Sequence, residues 1–255
     1  MRQASLAMYP FAHLREAYQQ LWDGVVARVS ADMRSLPPQL TWTDDVAGLW
    51  ASPDMLVAQT CGWPLVTALV GRVRVVGAFA YDVDGAQGAH YRSSIVATRP
   101  GDVDDFIGAT VAANNPDSLS GWVSLRHAVP GYGPVVWTGS HHQSLVALHE
   151  GRVELASIDA VSFAHIADSA PHLTEELHLV GRGPLVASLP LIAPLDLADT
   201  DVMALRDALA DALGDPHLAH ALRHLHICGF EPLDFADYAP IAELDPELYV
   251  AQRVG

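Results

Sequence analysis

Lysine is missing from this chain altogether. Its 14 basic residues are all arginine, they face 30 aspartates and glutamates, and the formal net charge is −16 over 255 residues. A field of that sign repels nucleic-acid phosphates and anionic lipid headgroups, so the sequence argues against nucleic acid and membrane as partners. An anionic ligand would have to be captured against that field by local dipoles and one or two arginines. Cysteine is nearly absent: Cys61 and Cys228 are too few for a disulfide framework or a cysteine-based zinc site, and two free thiols are expected. No apolar run approaches the ~20 residues that span a bilayer, because Arg, Asp or Gly cuts each of the longest ones. The opening MRQASLAMYP turns at Pro10 and leaves no room for a signal core of ~7–15 apolar residues. The chain as written is therefore expected to be cytoplasmic, or periplasmic if a leader is missing.

What is plentiful is core. Half the residues are apolar, enough for one large domain or two lobes of roughly 100 to 150 residues each. Short β-type runs alternate with helical patterns, the mark of an α/β sheet with crossover helices. ASLAMY, PPQLTWT, DMLVAQT and RVRVVGAFA read as strands, and FAHLREAYQQLWDGVVARVS as a helix with Leu14, Tyr18, Leu21, Val25 and Val29 at helical spacing. After the irregular YDVDGAQGAHY the pattern restarts. TVAAN, PVVWTG and VELASIDAV are strands; SLSGWVSLRHAV, SHHQSLVALHEG and SFAHIAD are helices. The last part holds LVASLPLIAPL, the helix DTDVMALRDALADALG and a helical stretch around HLAHALRHLHI. Two restarts imply two lobes. Residues 1–92 with 186–255 form one, holding both termini, and residues 93–185 are inserted as the other. Each join is a single extended segment, so a two-strand hinge and a cleft are expected.

In an open α/β sheet the ligand loops lie at the carboxyl ends of strands. Here those loops are Met8–Pro10, Gln59–Pro64, His90–Ser94, Asn114–Gly121, Thr138–His142 and Ser157–Ser162, and from them come the candidates Tyr9, Thr60, Tyr91, Arg92, Asn115, Ser118, Ser120, Gly121, Ser140, His141 and Asp159. The chemistry of DSLSG is helix-terminal anion capture: unpaired N–H groups carry partial positive charge, Ser118 and Ser120 add hydroxyls, and Gly121 lets an oxygen approach the backbone. TGSHH offers a second such terminus with Ser140 and His141. Arg92 could clamp a carboxylate or phosphonate bidentately, Tyr9 or Tyr91 could close an apolar side, and Asp159 could accept from a ligand amine or hydroxyl. Each also has an ordinary reading, as an N-cap for the serines and Asp159 and as a surface ion pair for Arg92. Ser120, His141 and Asp159 together suggest a hydrolase triad, but no G-x-S-x-G elbow accompanies them. His141–His142 lacks the spacing of a metal pair. His220 and His224 have it, yet His217, His220, His224 and His226 read first as a solvated helical face, so no metal and no cofactor are assigned.

QTCGWPLVTAL, YRSSIV, NNPDSLSGW, TGSHHQSLVALHEGRVELASIDAVSFAHI, LVGRGPLVASLPLI and GFEPLDFADYAPI resemble the phosphate/phosphite/phosphonate-type solute-binding proteins of ABC transporters, from about Ala4 to Ile241. The resemblance implies the type 2 periplasmic-binding-protein fold, two α/β lobes closing on a ligand like a flytrap. It implies an oxyanion on the helix N-terminus at Ser118, Ser120 and Gly121, with Tyr9, Tyr91, His141 and Asp159 lining the rest. The family's S-T-S-G stands here as S-L-S-G, with Leu119 removing one hydroxyl. The expected function is a non-enzymatic binding protein for a small anion, of the phosphonate/phosphate type or a carboxylate, with an ABC permease as partner. The alternative is a cytoplasmic enzyme on the same scaffold, similar to menaquinone-pathway enzymes and acting on a small carboxylate; a cytoplasmic sensor module ranks behind both.

Overall fold

The computed structural model describes residues 2–29 and 36–254. In chain order its elements begin β1 (Gln3–Ser5), α1 (Arg15–Val26), α2 (Val46–Trp50), β2 (Met55–Gln59), α3 (Gly62–Val66), β3 (Val73–Tyr81), the hairpin β4 (Ala86–Gln87) and β5 (His90–Tyr91), and β6 (Ser93–Ala97). They continue with β7 (Val111–Ala113), α4 (Ser124–Ala128), β8 (Val135–Trp137), α5 (His141–His149), β9 (Leu155–Asp159), α6 (Ala160–Ser169) and β10 (His178–Arg182). The last are β11 (Val186–Ala187), β12 (Pro190–Pro194), α7 (Asp199–Leu213), α8 (Ala219–His224), β13 (Ile227–Glu231), α9 (Phe235–Tyr238) and α10 (Pro246–Val254). The mixed α/β class is as expected.

The chain divides into two units, Met1–Asp82 with Ala187–Ala239 and Val83–Val186 with Pro240–Gly255. The expectation had residues 1–92 and 186–255 together. The first boundary instead falls at Asp82, and the segment from Pro240 onward groups with the second unit, so the C-terminus leaves the first. A partner far away in sequence explains the shift: Asp245 pairs with Arg126, and Leu248 packs on the second core.

In the first unit a five-stranded sheet has the order β1-β2-β12-β3-β13. β1 and β2 are parallel, whereas β12 is antiparallel to β2 and β3, and β13 to β3. The apolar stripe of α1 buries Tyr18, Leu21, Trp22 and Val25. Leu14 belongs to a 3-10 turn just before it, and the expected last residue of this helix, Ser30, lies outside the described residues. PPQLTWT forms no strand. Its two prolines bring no N–H to a ladder, and their carbonyls accept from α1 side chains instead, Pro37 from Trp22 Nε1 at 2.8 Å and Pro38 from Gln19 Nε2 at 3.0 Å. The expected helix around HLAHALRHLHI ends at His224, and His226, at φ 53°, turns the chain into β13.

The second unit has a sheet of order β10-β6-β9-β7-β8. β7, β8 and β9 run parallel, while β6 is antiparallel to both β9 and β10. The parallel strands are short and apolar, with VAA of β7 wholly buried, as strands covered on both faces must be. Ile95, Phe106, Val111, Trp122, Leu125 and Leu155 centre the core. Three consecutive strands of one direction put the loops after β7, β8 and β9 on one edge of the sheet. Cys61 and Cys228 are both free thiols.

Candidate functional site

The loop after β7 is Asn114–Asp117, and Ser118 N donates to Asn115 O at 3.1 Å to close it. Ser118 then caps the next turn from an extended conformation, its hydroxyl accepting from Gly121 N at 3.0 Å. The turn Leu119–Val123 is wound as a π-turn, with Val123 N on Ser118 O at 3.0 Å, before α4 continues as an ordinary helix. Such single wide turns recur at functional sites. The loop after β8 is stitched to the first, Thr138 N donating to Ala113 O at 3.0 Å and Gly139 N to Asn114 O at 2.9 Å. Gly139, at φ 84°, supplies the left-handed bend that lets Ser140 cap α5, where Ser140 Oγ accepts from Gln143 N at 3.1 Å.

His141 is thereby the first residue of α5, and its Nε2 lies 2.9 Å from Ser120 Oγ. Strand β9 joins them, Ser157 Oγ donating to Ser120 O at 2.5 Å. A Cβ at Gly121 would sit 1.8 Å from Asn114 Oδ1 and 3.2 Å from His141 Cε1, so a side chain there would have to displace Asn114. The residue His141 is half-buried, but its Nδ1 is wholly buried and lacks a hydrogen-bond partner, as does Asn114 Oδ1. Burial pushes the His141 imidazole down to about 4, the Ser157 main chain acting weakly the other way, so the ring is neutral at pH 7. Two loops and strand β9 thus bring hydroxyls, a neutral imidazole and the buried Gly121 backbone to one place on the second unit.

The other candidates make different contacts. Asp159, 2% exposed, caps α6, its Oδ1 accepting from Ser162 N at 2.8 Å; it stands opposite Ser93 at the same sheet edge. His141 Nδ1 makes no hydrogen bond to it, so Ser120, His141 and Asp159 do not form an oriented triad. Asn115 is exposed, with Nδ2 3.4 Å from Gly139 O; the residue turned toward Gly121 is Asn114, which sequence reasoning passed over. Ser157 was also missed, although it sits inside one of the loops named. Arg92 is exposed and its main-chain N–H holds Gly85 O at 2.9 Å, while Tyr91 is buried in the β4–β5 hairpin. Tyr9 and Thr60 belong to the first unit. There Tyr9 packs edge-on against Tyr81 at 5.9 Å, and Thr60 N donates to Pro190 O at 3.0 Å.

Residues 56–238 match the family described as ABC transporter, phosphonate, periplasmic substrate-binding protein. No curated protein sequence matches the chain. Among solved structures, a binding-protein component of an ABC phosphonate transporter from Pseudomonas aeruginosa is similar with a TM-score of 0.77 at 15% identity, over 99% of this chain and 88% of that one. PhnD1 from Prochlorococcus marinus, solved with methylphosphonate, has a TM-score of 0.75 at 13% identity, over 97% of each chain. A Xanthomonas citri protein bound to ATP has a TM-score of 0.71 at 17% identity, over 100% of this chain and 99% of that one. At these identities the likeness is one of fold, the two-lobed periplasmic-binding-protein architecture.

Proposed function

Because the chain belongs to the family of periplasmic substrate-binding proteins of phosphonate ABC transporters, we propose that this solute-binding protein takes a phosphonate-type oxyanion at the turn Ser118–Gly121 and His141. The observation that carries the reading is the 2.9 Å contact of Ser120 Oγ with His141 Nε2, beside a glycine whose Cβ would press on Asn114. Ser118 accepts from Gly121 N and keeps its own hydroxyl proton for an outside acceptor. A neutral imidazole either accepts the Ser120 hydroxyl proton at Nε2 or donates its own Nε2 proton to Ser120 Oγ, and the second arrangement frees the Ser120 hydroxyl proton for an incoming anion. Tetrahedral oxyanions suit donors spread around a small volume, whereas a carboxylate is best met by the planar fork of an arginine. Arg92, the arginine expected for that task, is exposed. Two proteins of like fold are recorded with methylphosphonate and with ATP, both phosphorus oxyanions.

The family is one of transport binding proteins rather than enzymes, and its description as periplasmic favours the periplasmic alternative over the cytoplasmic expectation. Among the described residues no helix is long and apolar enough to cross a membrane. An ABC permease is the partner this reading implies. Isothermal titration with methylphosphonate, phosphate and small carboxylates tests it. Saturable binding of a phosphorus oxyanion, weakened at least roughly tenfold by Ser118→Ala with Ser120→Ala, is expected from the loss of two hydroxyl donors. Equal affinity in the double variant, or no saturable anion at all, would refute it.

A further inference from the structure

The C-terminal segment enters the second unit at Pro240 and reaches the helix that follows the Ser118–Val123 turn. Its contact is narrow. Asp245, 7% exposed, takes the Arg126 guanidinium in a two-pronged pair through Nε and Nη2, and the remaining Nη1 lies 3.3 Å from Tyr132 Oη. The same carboxylate caps α10, Oδ1 accepting from Leu248 N at 3.0 Å, and Leu248 lies against the second core. Beside this pair a cleft of about 540 Å³ separates Val129–Tyr132 from Leu244–Glu247, so there the segment stands off rather than packing along its length.

Arg126 is one helical turn beyond Trp122, and its guanidinium lies over the Trp122 ring at 5.3 Å. Trp122 is a member of the π-turn itself, follows Gly121 directly, and is wedged edge-on against Trp137 at 4.9 Å and Tyr132 at 5.6 Å. One face of the turn therefore carries Ser120 and Gly121 and the other is clamped by Trp122, Arg126 and Asp245. A wide turn has fewer regular helix bonds to hold its shape, and preorganised donors bind better than donors that must be ordered on arrival.

We infer that Asp245 and Arg126 are positioning residues for the anion site, and that the segment from Pro240 braces the Ser118–Val123 turn through them. This rests on the binding reading above. The test is Asp245→Asn, which keeps a capping side chain for α10 and removes the charge, beside Arg126→Met, the double variant, and Asp245→Glu as the conservative rescue. Two readouts are taken on the full chain: hydrogen exchange of the amides of residues 119–123 without ligand, and titration with methylphosphonate. Asp245→Asn and Arg126→Met are each expected to speed exchange in the turn and to weaken methylphosphonate roughly three- to tenfold. The double variant should be no worse than the singles, because one interaction is lost in all three, and Asp245→Glu should recover much of the affinity. Variants that melt earlier but keep wild-type exchange at 119–123 and wild-type affinity would reduce the segment to a structural role and overturn the inference. If the wild type binds no anion, the proposed function fails, while the exchange comparison still decides the brace.

Discussion

Acidification offers the most direct probe of His141. Burial holds its imidazole near pKa 4, against about 6.5 for an exposed histidine. A histidine whose folded pKa is depressed takes up its proton more readily in the unfolded chain. Its neutral form therefore supports the fold fully above pH 6.5, and that support is lost as pH falls through about 4. The full gap corresponds to about 3 kcal/mol at most, and because the residue is only half-buried roughly 1–2 kcal/mol is the expected share. Urea midpoints between pH 7.5 and 4.5 for the wild type and for His141→Gln measure it, since the glutamine keeps a hydrogen-bonding group near Ser120 and cannot titrate. Aspartates and glutamates titrate in both proteins, so the difference between the curves isolates the ring. The wild type should lose stability faster than the variant below pH 6.5, by up to about 1.4 kcal/mol per pH unit. Parallel curves would show that His141 is not a buried neutral group, and the donor-relay part of the binding account would go with it.

Two further outcomes follow from the packing. Gly121→Ala puts a methyl 1.8 Å from Asn114 Oδ1, which can swing away, so an overpacking cost of about 1–2 kcal/mol is expected. The same methyl covers the backbone between Ser120 and His141, so titration should show methylphosphonate binding lost well beyond that stability change; retained affinity would move the anion away from this turn. Arg206 gives Nε to Val76 O at 2.7 Å and Nη2 to Leu233 O at 2.9 Å and Val75 O at 3.4 Å, tying α7 to β3 and to the loop after β13. Arg206→Met leaves those carbonyls short of a donor, and a loss of roughly 2–4 kcal/mol in denaturant unfolding is expected with anion affinity unchanged.

The sequence showed most clearly what local chemistry determines. Serine and glycine tokens at strand ends located the loops after β7, β8 and β9, because parallel strands place such loops on one edge whatever lies elsewhere. Asn114 and Asn115 could not be told apart, since the choice depends on the turn that Ser118 N closes on Asn115 O. β13 was hidden because the break before it is made by His226 in the left-handed region, a place where glycine or asparagine is the usual signal. PPQLTWT looked like a strand by its apolar alternation, yet its carbonyls are taken by Trp22 and Gln19 of α1. The C-terminal assignment failed for a different kind of reason. Arg126 had 30 acidic residues to choose from, and its partner stands 119 positions away. Periodicity can show which residues face a core, but it carries no information on which of many surface carboxylates a given arginine will meet. The pairing of Arg126 with Asp245 ties the segment from Pro240 to the second unit, and only the folded chain reveals it.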